Sequence, residues 1–134
     1  MNEIEPMKSE DAPKPKGPYS PVVRAGDFLF VSGQGPIDPA TQEFVFGDIQ
    51  AQTTLTLENL ERALATCGAS RHNIVRCGVF LQKATDFSAM NQAYAAFFGE
   101  TRPARTTVQA TLVEEGMLVE VDCVAFLTDK VSRT

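Results

Sequence analysis

The sequence has few of the residues on which common catalytic and metal sites depend. It holds one histidine, His72, among 134 residues, so one chain cannot supply a histidine-based catalytic triad or an HExxH zinc site. Its three cysteines are widely spaced, lie among apolar neighbours and form no CxxC pair. Such cysteines are typical of reduced, buried thiols, and we expect no metal site.

Long apolar runs and excess positive charge are also missing. No apolar run reaches 18 residues, which argues against a transmembrane helix. Residues 1–16 are polar and lack the apolar core of a signal peptide, so we expect a cytoplasmic protein without a membrane partner. Lysine and arginine total 12 against 17 acidic residues, and the net charge of -5 disfavours a nucleic-acid partner.

The composition is that of an ordinary globular protein, with 43% hydrophobic residues. A chain of 134 residues is expected to form one domain with its own core. Residues 1–16 hold two Pro-Lys pairs and no hydrophobic periodicity, which predicts a mobile N-terminal arm. The folded domain is then expected over residues 17–134.

Hydrophobic periodicity predicts two helices and five or six strands. The helices are expected from Asp48 to about Cys67 and from Asp86 to about Phe98, each begun by a capping aspartate and followed by a glycine. The strands are expected at 22–25, 28–32, 43–46, 75–82, 105–112 and 117–127. The first two and the last two are expected to form hairpins. This order predicts an α+β two-layer sandwich, with two helices on one face of a mixed sheet.

The last predicted strand, residues 117–127, indicates an oligomer. Val119, Val121 and Cys123 fill one of its faces, and Val124 and Phe126 make the other face largely apolar as well. A strand that is apolar on both faces is buried on both. Two helices can cover only one face of the sheet, so the other face is expected to pack on another copy of the chain.

Three charged residues interrupt the two C-terminal strands. Arg105 opens one strand, and Glu120 and Asp122 lie within the apolar run of the next. Burying an unpaired ion costs several kcal/mol, so charged residues at such positions are expected to have an oppositely charged partner or a functional role. A guanidinium matches a carboxylate, and a carboxylate in an apolar wall can act as a base. These residues therefore suggest a pocket that binds an acidic small molecule and carries out water or proton chemistry.

The strand register predicts how these charges are arranged. In a hairpin around residues 113–116, Gln109 faces Glu120 and Arg105 faces Val124, which puts Arg105 and Glu120 on one face about 13 Å apart. That separation fits a ligand between them better than a direct ion pair. Simpler interpretations are a surface or interface ion pair for Arg105 and a solvent-facing carboxylate for Glu120. Asp122 is expected to be structural.

Five segments carry a resemblance to a known family. They are Gly17-Pro18-Tyr19-Ser20, Phe30-Val31-Ser32-Gly33-Gln34, residues 86–94, and Pro103-Ala104-Arg105 with Leu118-Val119-Glu120-Val121. In these segments, and over nearly all of residues 17–126, the sequence resembles the Rid (YjgF) family of imine/enamine deaminases. The spacing from Pro-Ala-Arg to Val-Glu is the most specific part of this resemblance.

The resemblance implies a chorismate-mutase-like α+β fold, assembled as a homotrimer with active sites between subunits. It also implies cofactor-free hydrolysis of 2-imino acids, and of their enamine tautomers, to 2-keto acids and ammonia. Arg105 would bind the substrate carboxylate, and Glu120 would orient and deprotonate the attacking water. The Ser32-Gly33 turn would offer backbone donors. The cleft would further be lined by Tyr19, Asn91 and Thr107.

Position 107 departs from the family pattern, which commonly has a cysteine where this chain has Thr107. Threonine there could alter the substrate range or mark a sub-branch with a different natural ligand. A separate alternative is a non-catalytic or regulatory protein that binds small carboxylates such as 2-keto acids. An RNA-directed activity is a weaker alternative for an acidic chain. Asn91 could also be a satisfied polar residue at the helix–sheet boundary, and Tyr19 could serve only to pack the N-terminal arm.

Overall fold

The computed structural model describes residues 3–128 and, within them, places two α-helices on one face of a six-stranded sheet. Residues 1–2 of the predicted arm and 129–134 of the predicted domain lie outside the described residues. The helices are α1 (Ile49–Thr66) and α2 (Phe87–Phe98). The strands are β1 (Ile4–Met7), β2 (Val22–Ala25), β3 (Phe28–Gln34), β4 (Ile37–Asp38), β5 (Glu43–Phe44), β6 (Ile74–Leu81), β7 (Ala104–Gln109) and β8 (Val119–Phe126). The predicted α+β architecture is confirmed.

The main sheet has the order β1-β2-β3-β8-β6-β7, and β4 pairs with β5 in a separate two-stranded ribbon. The hairpin predicted between β2 and β3 is present, with Ala25 opposite Phe28. Gly26, at its turn, has a φ of 61°, in the left-handed region that suits glycine.

The N-terminal segment is part of the fold rather than a free arm. β1 pairs antiparallel with β2, from Ile4 opposite Ala25 to Met7 opposite Val22. Ala12 is 1% exposed, so the chain after β1 also packs against the core. The expectation of an arm without regular structure is therefore wrong for residues 4–7. The strand was not predicted because backbone groups make this edge pairing, and in β1 only Met7 packs against the core.

Both helices lie where their capping signals predict them. The Asp48 side chain accepts a hydrogen bond from the Ala51 N–H at 2.8 Å, and Gly68 follows α1 with a φ of 78°. Asp86 precedes α2, but its side chain makes no capping hydrogen bond. A 3₁₀ turn, Ala84–Asp86, runs directly into α2, so Asp86 lacks the extended backbone of an N-cap residue.

The core lies between the two helices and the sheet. Leu57, Leu60 and Leu64 of α1 are buried there with the inward side chains of the sheet. The predicted burial of the thiols is confirmed for Cys77 and Cys123, while Cys67, at the end of α1, is only half-buried. Neither helix of the described chain is long and apolar enough to cross a membrane.

The last two strands do not form the predicted hairpin. β8 lies inside the sheet, antiparallel to both β3 and β6, and β7 pairs in parallel with the other side of β6. The chain from β6 through α2 to β7 is therefore a crossover, in which the helix returns the chain to the same end of the sheet. The hairpin prediction is wrong because β8, apolar on both faces, is most completely buried between two partners.

The sheet face away from the helices is uncovered in the single chain. Phe28 and Phe30 of β3 are 43% and 47% exposed, and Val108 of β7 is 44% exposed on the same face. The register places Phe30 beside Val124 of β8, which extends this apolar surface toward the centre of the sheet. Apolar surface of this kind suits an interface, so association with another copy of the chain stays a prediction.

A buried amide on α1 generates a stability prediction. The Asn59 amide donates to the Gly35 carbonyl at 3.0 Å and to the Ile37 carbonyl at 2.8 Å, which ties the chain between β3 and β4 to the helix. Asn59→Ala leaves two buried carbonyls without this donor and should lower the free energy of unfolding by about 2–4 kcal/mol. Thr54→Ala, at an exposed position of α1, is the control in urea unfolding. Equal losses in the two variants would contradict the prediction.

Candidate active site

A pocket of about 250 Å³ opens between the N-terminal segment and the ends of β3 and β8. It brings together three of the residues predicted from the sequence, Tyr19, Gly33 and Glu120. Its other walls include residues 13–16 and Met117. We call Tyr19, Gly33 and Glu120 the Glu120 half-site.

Glu120 lies on β8 and faces away from the helices. Its carboxylate rests over Gly33 of β3, where a Cβ would collide with a carboxylate oxygen and would lie 2.9 Å from the carboxyl carbon. Burial raises the pKa of Glu120 above the usual value for glutamate, and the negative charge of Asp122 raises it further. The side chain is half-buried rather than enclosed, so water can still reach it.

Asp122 has a structural partner within the sheet. Its Oδ1 accepts a hydrogen bond from the Gly78 N–H on β6 at 3.1 Å. A Cβ on Gly78 would lie 2.5 Å from the same oxygen, so a glycine is needed to make room for this carboxylate. No ion pair in the described part of the chain involves Asp122.

Tyr19 and Ser32 lie near Glu120 but differ in what they can offer a ligand. Tyr19 is 50% exposed and borders the pocket. The Ser32 hydroxyl donates to the Ser20 carbonyl at 2.7 Å, and the Ser32 N–H donates to the Pro21 carbonyl at 3.0 Å. The expected backbone donor at Ser32 is therefore already used within the chain, because β3 bulges here and bonds to the segment that precedes β2.

Arg105 lies on the opposite face of the sheet, under α2. Its guanidinium carbon is 4.7 Å from the centre of the Tyr94 ring and 5.7 Å from the centre of the Phe87 ring. Its Nη1 donates weakly to the Met90 sulfur at 3.9 Å. No ion pair among residues 3–128 involves Arg105, so its half-buried charge meets aromatic faces rather than a carboxylate.

Thr107 and Asn91 lie on the same side of the sheet as Arg105. Thr107 follows Arg105 by two residues on β7 and lines a pocket of about 300 Å³ with Phe87. Asn91 lies on α2, and its Oδ1 is buried without a hydrogen-bond partner in the described structure, so it is not the satisfied polar residue of the simpler interpretation. We call Asn91, Arg105 and Thr107 the Arg105 half-site.

The thiols and the phenol near Arg105 are neutral groups. Burial raises the pKa of Cys77 and of Tyr94, and it raises the pKa of Cys123 well above the ordinary thiol value. Arg105 is therefore the charged group on this part of the helix-facing layer. Within residues 3–128, no group of three or more His, Cys, Asp or Glu side chains is arranged to hold a metal ion.

The two half-sites of one chain cannot act on the same small molecule. Arg105 lies opposite Cys77 of β6, whose side chain faces the helices. Glu120 lies opposite Phe80 of β6, whose side chain faces the other side of the sheet. Their backbones are separated by two strand spacings, roughly 10 Å, and by three positions along β6, roughly 10 Å. The prediction that they share a face is wrong, because β6 lies between their strands and changes the register.

Sequence reasoning missed the two buried amides that support the pocket from α1. Gln52 accepts from the Leu118 N–H at 2.8 Å and donates to the Gly116 carbonyl at 3.0 Å, next to β8. Asn59 binds the chain that follows β3 in the same way. The signal was present in the sequence, since residues 52, 56 and 59 form a polar row beside the apolar stripe of a helix.

Comparison with known proteins identifies the family. The endoribonuclease L-PSP family model matches residues 9–127. A RutC family protein from Pyrococcus horikoshii is 44% identical over 118 residues, which are 88% of this chain and 94% of that protein.

Two solved structures extend the match to the fold. YyfA from Yersinia pestis, described as a member of the conserved Rid protein family, is 34% identical with a TM-score of 0.87, over 92% of this chain and 99% of its own. E. coli TdcF, solved with bound serine, is 32% identical with a TM-score of 0.84, over 91% of this chain and 98% of its own. With the family model, the sequence identities and the shared fold in agreement, this chain belongs to the Rid (YjgF) family.

Proposed function

We propose that this protein hydrolyses 2-imino acids and their enamine tautomers to 2-keto acids and ammonia, in a site shared by two copies of the chain. Membership of the Rid family supports a role in imine or enamine deamination in general. In the proposed reaction water adds to the carbon of the C=N bond, and the nitrogen leaves as ammonia after it has gained protons. An imine is already electrophilic, so positioning the substrate and one base can provide much of the catalysis.

This proposal rests mainly on the environment of Arg105. A cation–π contact is worth about 0.5–2 kcal/mol and uses the face of the guanidinium. The in-plane N–H groups suit a carboxylate, and hydrogen bonds to a charged partner are worth about 1.5–3 kcal/mol each. Tyr94 and Phe87 hold the guanidinium in place, and no ion pair in the described chain competes for it. A 2-imino acid would supply the missing carboxylate.

Glu120 is suited to be the base that activates water. A base is most effective when its pKa lies near the working pH, and both burial and Asp122 move the pKa of Glu120 upward in that direction. Gly33 leaves the carboxylate accessible from the pocket, since no side chain covers it on the β3 side. Water held there could lose a proton to Glu120 as it attacks the imine carbon.

Because the half-sites lie on opposite faces of the sheet, the proposed site combines residues from two copies of the chain. One copy would present Arg105 with Asn91 and Thr107, and another would present Glu120 with Tyr19 and Gly33. The exposed apolar face around Phe28, Phe30 and Val108 offers the surface for this association. We propose a homotrimer, in which three equivalent interfaces would form three sites.

A non-catalytic binder of small carboxylates is the second candidate function. Thr107 favours it, since deaminating members commonly have cysteine there, and the relative TdcF was solved with bound serine. The matched family model is described as an endoribonuclease, but a net charge of -5 is unfavourable for binding a phosphate chain. The two small-molecule functions differ in whether the wild-type protein turns an imine over, since a binder would hold a small carboxylate through Arg105 without turnover.

Replacing Arg105 tests whether this residue binds the substrate carboxylate. Arg105→Ala should lower kcat/KM for freshly generated 2-iminobutanoate by about 100-fold, because roughly 3 kcal/mol of charge-assisted hydrogen bonding is lost. Arg102→Ala removes an exposed arginine close by and should leave kcat/KM within about twofold. Rates should be measured as ammonia release above the buffer blank. Equal rates in wild type and Arg105→Ala would reject the assigned role.

Replacing Glu120 separates catalysis from binding. Glu120→Gln should lower kcat by about 100-fold or more while the Kd for 2-ketobutanoate changes little, because the base is lost and the carboxylate grip remains. The wild-type rate should fall on acidification through the raised pKa of Glu120, at a pH above the usual glutamate range, since only the ionised form accepts a proton. Asp122→Asn should move this fall to lower pH. Undiminished turnover in Glu120→Gln would reject Glu120 as the base, and a wild type with no turnover above the buffer blank would leave only the binding function.

Mixing inactive variants tests whether the site is shared. Subunits carrying Arg105→Ala and subunits carrying Glu120→Gln should be refolded together in equal amounts. If each site takes Arg105 from one copy and Glu120 from another, about a quarter of the sites in the mixture regain both groups. The recovered activity should therefore approach about a quarter of the wild-type value. A mixture as inactive as its components would contradict a site shared between copies.

A further inference from the structure

The pocket beside Glu120 has one wall formed by residues of the N-terminal segment that belong to neither half-site. Residues 13–16 line the pocket together with Tyr19 and Glu120. Ala12 is buried, so the segment enters the wall from a fixed point in the core. Beyond β1, however, it has no strand partner in the described structure, and its placement must come from other contacts.

Gln42 accepts two hydrogen bonds from residues 13–16. Its Oε1 accepts a hydrogen bond from the Lys14 N–H at 2.8 Å, and its backbone carbonyl accepts one from the Lys16 ammonium at 3.0 Å. Its Nε2 donates to the Pro39 carbonyl at 2.7 Å, which fixes the side chain against the turn between β4 and β5. The Lys16 ammonium also lies 5.5 Å from the centre of the Phe44 ring, on β5.

The backbone of Gln42 indicates that this arrangement is specific. Its φ is 65°, and among the described residues it is the one non-glycine residue with a positive φ. Glutamine is disfavoured in this conformation relative to glycine or asparagine. The ribbon that carries it is itself anchored to α1, because Asn59 donates to the Ile37 carbonyl at 2.8 Å. The N-terminal wall is thus connected through Gln42 to a rigid helix.

We propose that Gln42 is a positioning residue of the imine-hydrolysing site, which holds residues 13–16 over the Glu120 half-site and sets how closely the pocket encloses the substrate. This inference rests on the proposed function. Without the link from Gln42 to Lys14, the wall would move outward and more water would reach the carboxylate. The substrate would then bind less tightly, while the reacting groups themselves would be unchanged.

The wall formed by residues 13–16 should also affect the pKa of Glu120. The charged or titratable groups around this carboxylate are Asp122 on β8, Lys14, Lys16 and Tyr19 on the N-terminal side, and Glu114 on the facing loop. Burial is the largest cause of the raised pKa of Glu120. Opening the wall restores water to the site, so the pKa should fall toward the ordinary glutamate value.

Gln42→Gly is the variant of choice, because glycine keeps the positive φ and the carbonyl that binds Lys16 but removes the side-chain link to Lys14. We expect KM for 2-iminobutanoate to rise about fivefold, as for the loss of one hydrogen bond, with kcat within about twofold. The acid limb of the pH profile should move to lower pH. Ala40→Gly adds the same flexibility to the turn without touching the link and should change neither.

Hydrogen exchange provides a readout that does not depend on turnover. The Lys14 amide should exchange faster in Gln42→Gly than in wild type and Ala40→Gly, while the α1 amides keep their protection. Unchanged Lys14 exchange, or an unchanged KM and pH profile with faster exchange, would overturn the positioning role. A fall in kcat with KM and pH profile unchanged would indicate a merely structural role and would also overturn it. If wild type hydrolyses no imine, the proposed function fails, and Lys14 exchange alone decides whether Gln42 fixes the wall.

Discussion

The position of β8 between β3 and β6 is the constraint on which the site depends. Every second residue of this strand is buried under the helices, and Glu120 and Asp122 point to the other face. A strand with neighbours on both sides has little room for carboxylates, and two glycines provide it. Gly33 on β3 lies beneath Glu120, and Gly78 on β6 lies beside Asp122. At both positions the sheet needs the absence of a side chain rather than an unusual backbone conformation.

The helices and the first hairpin could be predicted because their signals are local. Asp48, Gly68 and Gly26 act on backbone groups within a few residues, so their effects do not depend on the rest of the chain. Strand order has no such local signal. Neighbouring strands often form hairpins, but the double-sided apolar character of β8 favours two partners, and α2 carries the chain across to β7 instead. β1 was missed for a related reason. It is held by backbone hydrogen bonds to the edge of β2, and its sequence has no side-chain pattern that would predict a strand.

For the site, too, the individual residues could be predicted from the sequence, whereas their placement relative to one another could not. The residues that make up the Glu120 half-site were predicted individually, and the structure brings them together around one pocket. The relation of Glu120 to Arg105 could not be predicted, because side chains alternate along a strand and the face therefore depends on the register. With β6 between their strands, the two residues face opposite sides of the sheet. A single chain therefore keeps the Arg105 guanidinium and the Glu120 carboxylate apart. The proposed association through the apolar surface around Phe30 would bring half-sites of different copies together.

The ionisation of Glu120 links this architecture to the proposed chemistry. Burial and the charge of Asp122 both disfavour the ionised form of Glu120, and Asp122 itself accepts a hydrogen bond from the Gly78 N–H. A carboxyl group whose pKa is raised on folding makes the folded state less stable as the pH rises from the usual glutamate range through the raised pKa, because the unfolded chain loses that proton more readily. The fold therefore tolerates a destabilising group at this position, and a structural role alone does not account for it. The role proposed for Glu120, as the base that removes a proton from water, would account for it, because the same desolvation that weakens the fold makes the carboxylate a stronger base.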